Sequence, residues 1–318
     1  MSAASPSTDV PTRRDVWVRM LIYPRHTLPT ALAPVLVAAG LALHDGVFAP
    51  GAAAAALAAG WLIQLGGVVA DNYHNLRRHP DDREHPLLVR ALEAGVVDLR
   101  LLARATAGCY LLAALPGAYL VRVGGVPALG IGIVSAGASL AYSSDPLRLG
   151  DRGLGDPLFF LFFGIVSVWG AYYVQAASTL AAGFPTSLPG GSVTPESLAA
   201  GLPMAALITN ILLIDNIRDL RFDREKGERT LAVIVGRGWT EVEMGALTAL
   251  AYAVPVWFLQ RPGHGVAVLL PLITLPYAVV IFRRVRESDH WEELLPLTPQ
   301  AGQLAVAYAL LFAGGLAL

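Results

Sequence analysis

The sequence predicts an all-α protein, a polytopic membrane helical bundle of about nine transmembrane helices. Three observations carry that prediction. The chain of 318 residues is 55% hydrophobic and only 15% charged, with a mean hydropathy of +0.55. Soluble domains carry roughly a quarter charged residues. The uncharged runs also reach membrane-crossing length, since about 20 residues at ~1.5 Å rise span a hydrocarbon core of ~30 Å. Finally, the basic residues fall almost wholly into alternate loops.

Residues 1–15, MSAASPSTDVPTRRD, hold neither an apolar core nor a small-residue cleavage site, so they read as a disordered cytoplasmic tail and not as a secretory signal. Residues 16–318 then form a single transmembrane domain. Stretches free of Asp, Glu, Lys and Arg place spans near 28–44, 51–70, 105–121, 123–144, 157–178, 197–214, 244–260, 262–282 and 299–318. Only Arg122 and a Gly-Gly pair separate the third span from the fourth, and Arg261, Pro262 and Gly263 separate the seventh from the eighth. Small-residue runs at 52–60 and 130–139 suit close helix packing; a groove for a long apolar tail is their second possible use. The single cysteine, Cys109, lies in an apolar span, which rules out a disulfide framework and a Cys-based metal site.

With alternating spans, the N-terminus and the loops after spans two, four, six and eight share one side of the membrane. All 23 basic residues except Arg122 and Arg261 lie on that side. Positively charged loops stay cytoplasmic. The expectation is a multi-pass protein of the cell inner (cytoplasmic) membrane, with the N-terminus and the long loops inside and the C-terminus outside.

Two nearly identical heptads end apolar runs on that cytoplasmic side: DNYHNLR at 71–77 and DNIRDLR at 215–221. Continuing each helix through its heptad puts residues i and i+4 on one face. Asp71 then lies over Asn75, and Asp215, Asp219 and Asp223 form a carboxylate ladder. Acids this close repel one another unless cations offset them. Hard oxygen ligands without a Cys or His pair suit Mg²⁺, which keeps several waters and shares phosphate oxygens, so the predicted ligand is a magnesium diphosphate. Downstream, DREKGERTLA supplies Arg224, Lys226 and Arg229, and Lys226 is the only lysine. Such cations would share the charge of a diphosphate. Asp81, Asp82, Arg83, Glu84 and His85 form either a supporting loop or an ordinary solvated one.

Polar helix ends of this kind also occur simply where a helix meets water and headgroups. Two matching motifs on one side, one of them a ladder, favour a site, because ionisable groups near the membrane are functional candidates. The echo itself points to duplicated halves that face a shared cavity. An ion-coupled transporter would place its acids near the bilayer midplane on broken helices, whereas these lie at the ends of unbroken ones. Removing Asp219 is expected to abolish turnover and leave the fold intact, since no apolar packing is lost.

These residues resemble the UbiA superfamily of membrane prenyltransferases, which carries an NDxxD-type motif after its second helix and a DxxxD-type motif after its sixth. Within it, DNIRDLRFDREKGERTLAVIVG is similar to the NNxRDxxxDxxxGKRTLAxxxG signature of the 1,4-dihydroxy-2-naphthoate prenyltransferases of menaquinone biosynthesis. YPRHTLPTALAPVL, YSSDPLRLGDRGLGD and FFGIVSVWGAYYVQ resemble the first helix, the loop after helix four and helix five of those enzymes. The resemblance runs from about Tyr23 to Gly238.

It implies a bundle of nine spans that holds Mg²⁺ and an isoprenyl diphosphate between two Asp motifs. The diphosphate leaves, an allylic cation forms, and an electron-rich ring attacks it with loss of the ring carboxyl. Carried over, Asp71, Asn75, Asp215, Asp219 and Asp223 are metal ligands, and Arg25, Arg218, Lys226 and Arg229 bind diphosphate. Tyr142, which opens the helix-four loop, joins Asp71, Asn75, Asp215 and Asp219 as a catalytic residue. The expected partners are an isoprenyl diphosphate, an aromatic small molecule and the lipid bilayer, with no nucleic acid. The first motif departs from the family in reading DNxxN; Asp145 replaces a proline, and His79 replaces a frequent third Asp. That altered motif motivates the alternative of a prenyltransferase or terpene cyclase of specialised metabolism. Tyr73, Tyr142, Phe159, Phe160, Phe163, Trp169, Tyr172 and Tyr173 are candidate walls for the cation.

Overall fold

A computed structural model describes residues 11–21, 27–81 and 85–318. Residues 1–10 of the expected tail, Arg25, and Asp82, Arg83 and Glu84 lie outside the described residues. The helices are α1 (Arg13–Leu21), α2 (Thr27–His44), α3 (Pro50–Arg78), α4 (Pro86–Glu93) and α5 (Leu99–Ser143). They continue as α6 (Gly155–Leu180), α7 (Pro195–Lys226), α8 (Leu231–Val235), α9 (Arg237–Leu259), α10 (Val266–Glu287) and α11 (Trp291–Ala317). Among the described residues, 7 helices are long and apolar enough to cross a membrane, and α2 is a shorter apolar one. At 45 residues α5 is long enough for two crossings. The described residues thus hold about nine crossing segments, and the chain is a multi-span, all-helical membrane protein.

The break in α5 falls at the Gly-Gly pair. Gly125 adopts φ 65° and ψ −152° inside an otherwise helical run. A Cβ there would come 1.7 Å from the carbonyl oxygen of Pro185, which also accepts the Val126 N–H at 2.9 Å. Both the positive φ and the approach of the loop require glycine. This one position divides the third predicted span from the fourth.

Helix α7 is the centre of the bundle, with 78% of its crossing window buried inside the protein. The largest apolar core joins it to α2, α6, α9, α10 and α11 through Leu41, Tyr172, Ile208, Phe258, Val268 and Phe312. Leu111, Leu115, Ile133, Ile273 and Leu310 are instead exposed on the outside, where lipid tails solvate them at no cost. Close helix contacts are made by Gly40 against Ala313 and by Gly164 against Ala205. The small-residue runs at 52–60 and 130–139 both pack and line space: Ala52 is buried in a core with Ala128 and Tyr173. Gly60, Gly130, Gly132 and Gly137 have open space beside them, and Ala56, Ala59, Gly60 and Gly132 line a cavity.

Residues 13–15 of the expected tail are helical. Helix α1 begins at Arg13, and its Val16 and Met20, one turn apart, pack with Val69 and Leu76 of α3 and with Leu88 and Val89 of α4. Apolar burial beneath the polar helix ends accounts for this small satellite core. Helices α3 and α7 run beyond their apolar spans through both heptads, and α7 ends at Gly227, whose φ of 74° provides the left-handed C-terminal cap.

Candidate active site

Because α3 and α7 stay helical through their heptads, both motifs face one cavity of about 960 Å³. Asp71, Asn75 and Arg78 line it from α3 at helical spacing, and Asp215, Asp219 and Asp223 line it from α7 as the i, i+4 pattern predicts. The polar lining gives way to Gly67, Gln64, Ile63, Gly60 and Ala56 along α3. From Asn75 to Ala56 the groove follows about 28 Å of helix at ~1.5 Å per residue. One end is therefore charged and the rest is largely apolar, the part from Gly67 to Ala56 following about 16 Å of helix, roughly half the thickness of the bilayer core.

Buried carboxylates need compensation, and each rung of the ladder has it. The Arg218 guanidinium bonds to both Asp215 and Asp219. Thr298 Oγ1 donates to Asp215 at 2.7 Å, Trp291 Nε1 to Asp219 at 2.9 Å, and Thr230 Oγ1 to Asp223 at 3.2 Å. Two of these donors come from α11, so the last helix closes over the ladder. On the opposite wall, Asn75 Nδ2 lies 3.4 Å from His85 Nδ1. Arg78 reaches the helix-four loop, donating to Ser143 O at 3.0 Å and to Asp151 at 3.2 Å.

The cations are distributed differently from the sequence expectation. Arg218 and Lys226 line the cavity. Arg229 does not: its side chain is exposed, and its backbone N–H donates to Asp151 O at 2.9 Å. Arg78 supplies a cavity cation that the sequence reading missed, although it directly follows the first heptad. Glu228 lines the same end. Burial pushes its carboxyl up to about 7, with the Asp151 carboxylate adding to the rise and Lys226 opposing it.

Tyr142 stands at the junction of the charged and apolar parts. Its ring fits because Gly150 faces it, where a Cβ would come within 2.8 Å of the ring. Tyr142, Phe159 and Phe163 form a row with centroid separations of 5.6 and 4.6 Å. The backbone of Phe160–Val166 is wound in wider π turns, and such bulges recur at functional sites. Here Phe159, Phe162, Phe163 and Val166 all line the cavity. The other aromatic candidates lie elsewhere. Tyr73 joins the satellite core, Phe160 is off the lining, and Trp169 packs on Tyr173. Tyr173 donates to Gly124 O at 2.7 Å, and Tyr172 donates to Asp45 at 2.6 Å.

Asp151, Trp291 and Thr298 were also missed. Asp151 sits in a loop already singled out. Trp291 and Thr298 have no local signal, because only the return of α11 brings them to the ladder.

Carboxylates and cations thus share one end of the cavity, which opens into a largely apolar groove with an aromatic wall. Comparison with known proteins agrees. The profile of the UbiA prenyltransferase family matches residues 31–295. The chain is 33% identical over 253 residues to the 1,4-dihydroxy-2-naphthoate octaprenyltransferase of Escherichia coli, covering 76% of each chain. It is 29% identical over 295 residues to the enzyme of the same name from Mycobacterium tuberculosis, covering 92% of this chain and 94% of that one. Among solved structures, a UbiA homolog from Aeropyrum pernix superposes with a TM-score of 0.67 at 19% identity, covering 88% of this chain and 96% of that one. A UbiA homolog from Archaeoglobus fulgidus bound to GPP and Mg²⁺ superposes with a TM-score of 0.61 at 16% identity, covering 93% and 99%. The chain belongs to the UbiA prenyltransferase family and is a membrane prenyltransferase.

Proposed function

We propose that the protein transfers a polyprenyl group from an isoprenyl diphosphate to 1,4-dihydroxy-2-naphthoate, with Mg²⁺, in menaquinone biosynthesis. The observation that carries this reading is the meeting of both heptads at one charged end of a long apolar groove. The relatives named for this acceptor, one of them matched over 94% of its length, support the choice of ring.

The donor set fits Mg²⁺. Asp71, Asn75, Asp215, Asp219 and Asp223 offer only hard oxygen atoms toward the cavity from its α3 and α7 walls. When bound, Mg²⁺ neutralises diphosphate charge and so improves the leaving group.

The remaining work belongs to the chain. Lys226 and Arg78 add positive charge beside the diphosphate oxygens. Arg218, which bridges the Asp215 and Asp219 rungs and lines the cavity, adds a third cation at that end. The C1–oxygen bond of the donor breaks, the electron pair leaves with diphosphate, and the row of Tyr142, Phe159 and Phe163 stabilises the allylic cation through its π faces. The electron-rich ring carbon then forms the new bond and gives up its proton, and the neighbouring ring carboxylate departs as carbon dioxide, its carbon taking up a proton in exchange. The apolar groove excludes water that would otherwise trap the cation.

The cytoplasmic face is our assignment for the charged end, supported by the distribution of basic residues. The test is a membrane assay with Mg²⁺, dihydroxynaphthoate and C15 to C45 diphosphates. Prenylated naphthoquinol is the expected product. Release of a hydrocarbon from donor alone, or no product with any donor, overturns the assignment.

A further inference from the structure

One turn below the first heptad, the cavity wall carries a hydroxyl that the diphosphate end does not use. Ser139 of α5 lines the cavity three residues before Tyr142, on the same side of the helix. Tyr110, from the other half of α5, donates its phenolic proton to Ser139 Oγ at 2.8 Å. A serine hydroxyl has a single proton to give. With its oxygen receiving from Tyr110, Ser139 keeps that proton for a different acceptor.

Gly67 of α3 faces this hydroxyl. A Cβ at Gly67 would lie 2.8 Å from Ser139 Oγ, so glycine lets the hydroxyl pack closely against the α3 backbone. Gly67 precedes Asp71 by four residues, about 6 Å along the helix axis. The hydroxyl therefore sits one turn deeper than the Asp71 carboxylate, where the charged lining ends and Ile63, Gly60 and Ile131 begin. In the proposed reaction, the donor's reacting carbon lies just below its diphosphate, so this is the depth at which it would meet the acceptor.

The chemistry of the two substrates separates them at this position. An isoprenoid tail has no atom that receives a hydrogen bond, and the diphosphate oxygens belong with the carboxylates and cations one turn higher. With only an isoprenoid tail beside it, the hydroxyl donor would be left unpaired, which costs free energy. A ring bearing oxygen substituents satisfies it. We infer that Ser139 orients the aromatic acceptor by donating a hydrogen bond to a ring oxygen, with Tyr110 as its positioning residue and Gly67 as the gap in α3 that the hydroxyl packs against. This inference rests on the proposed transfer to an oxygenated aromatic ring.

The test uses full-length protein in detergent, assayed with Mg²⁺ and prenyl diphosphate, and acceptor binding measured separately by quenching of tryptophan fluorescence. Ser139→Ala is expected to raise the acceptor KM and the acceptor Kd about tenfold, the loss of one hydrogen bond, while the donor KM stays within twofold. Tyr110→Phe is expected to act in the same direction but less strongly, because it frees the orienting hydroxyl and does not delete it. The Ser139→Ala effect should vanish for a naphthalene ring that carries no oxygen. An unchanged acceptor KM and Kd in Ser139→Ala, or an equal rise in the donor KM, overturns the inference and leaves the proposed function standing if wild type still makes product. Wild type that neither binds nor prenylates any hydroxylated aromatic overturns both.

Discussion

Asp219→Asn tests the ladder most directly. Asp219 is 6% exposed, and its carboxylate receives two bonds from Arg218 and one from Trp291 Nε1 at 2.9 Å. Asparagine keeps the shape and one acceptor but removes the charge offered to cations. Loss of one preorganised electrostatic partner of a transition state is worth about 3–4 kcal/mol, or roughly 10²- to 10³-fold in kcat. The expected result is a fall of that size in prenyl transfer, with the Mg²⁺ dependence displaced to higher concentration. Activity within threefold of wild type across the Mg²⁺ titration would falsify the ladder as the metal-facing element. The companion Asp219→Ala refines the expectation that the fold would be untouched. It strips acceptors from Arg218 and Trp291 together, and each bond to a charged group contributes about 1.5–3 kcal/mol. Thermal unfolding should therefore show Asp219→Ala clearly less stable than Asp219→Asn, although neither loses apolar packing.

Three further outcomes follow from the same geometry. Arg78→Ala should raise the donor KM at least tenfold, while Arg229→Ala, whose side chain lies off the cavity, stays within twofold of wild type; equal effects would return Arg229 to the site. Glu228 has a folded pKa raised from 4.5 to about 7, so its stabilising contribution is complete below about pH 4.5 and is lost as pH rises through about 7. With neither metal nor diphosphate present, denaturation from pH 4.5 to 8 should show wild type losing about 3 kcal/mol more than Glu228→Gln, and parallel curves would refute the burial argument. Gly125→Ala should lower the melting temperature by several degrees, since it forces a Cβ into positive φ against Pro185 O; an unchanged melting temperature would show that the break does not depend on glycine.

Much of the fold was legible because membrane solvation writes itself into composition. Apolar runs located the crossing segments, and Gly124 and Gly125 marked the division of α5. The heptads were legible as a site because their i, i+4 spacing is a property of one helix, independent of the neighbours. Small-residue runs served both of their expected uses: a glycine or alanine permits close approach, but only the neighbouring helix determines whether the space is filled. At Gly40 it is filled by Ala313, whereas at Gly60 and Gly132 it is left to the cavity.

The sequence by itself determined the helical membrane fold, the two polar helix ends and the carboxylate ladder, all of which depend on local periodicity and on transfer into lipid. Tertiary structure alone decided which cations face the cavity, choosing Arg78 over Arg229, and which aromatics form its wall. It alone brought Trp291 and Thr298 onto the carboxylates of a helix more than 70 residues earlier. The physical reason is that charge compensation and cavity shape are relations between helices, set by how they cross, and no single helix encodes them.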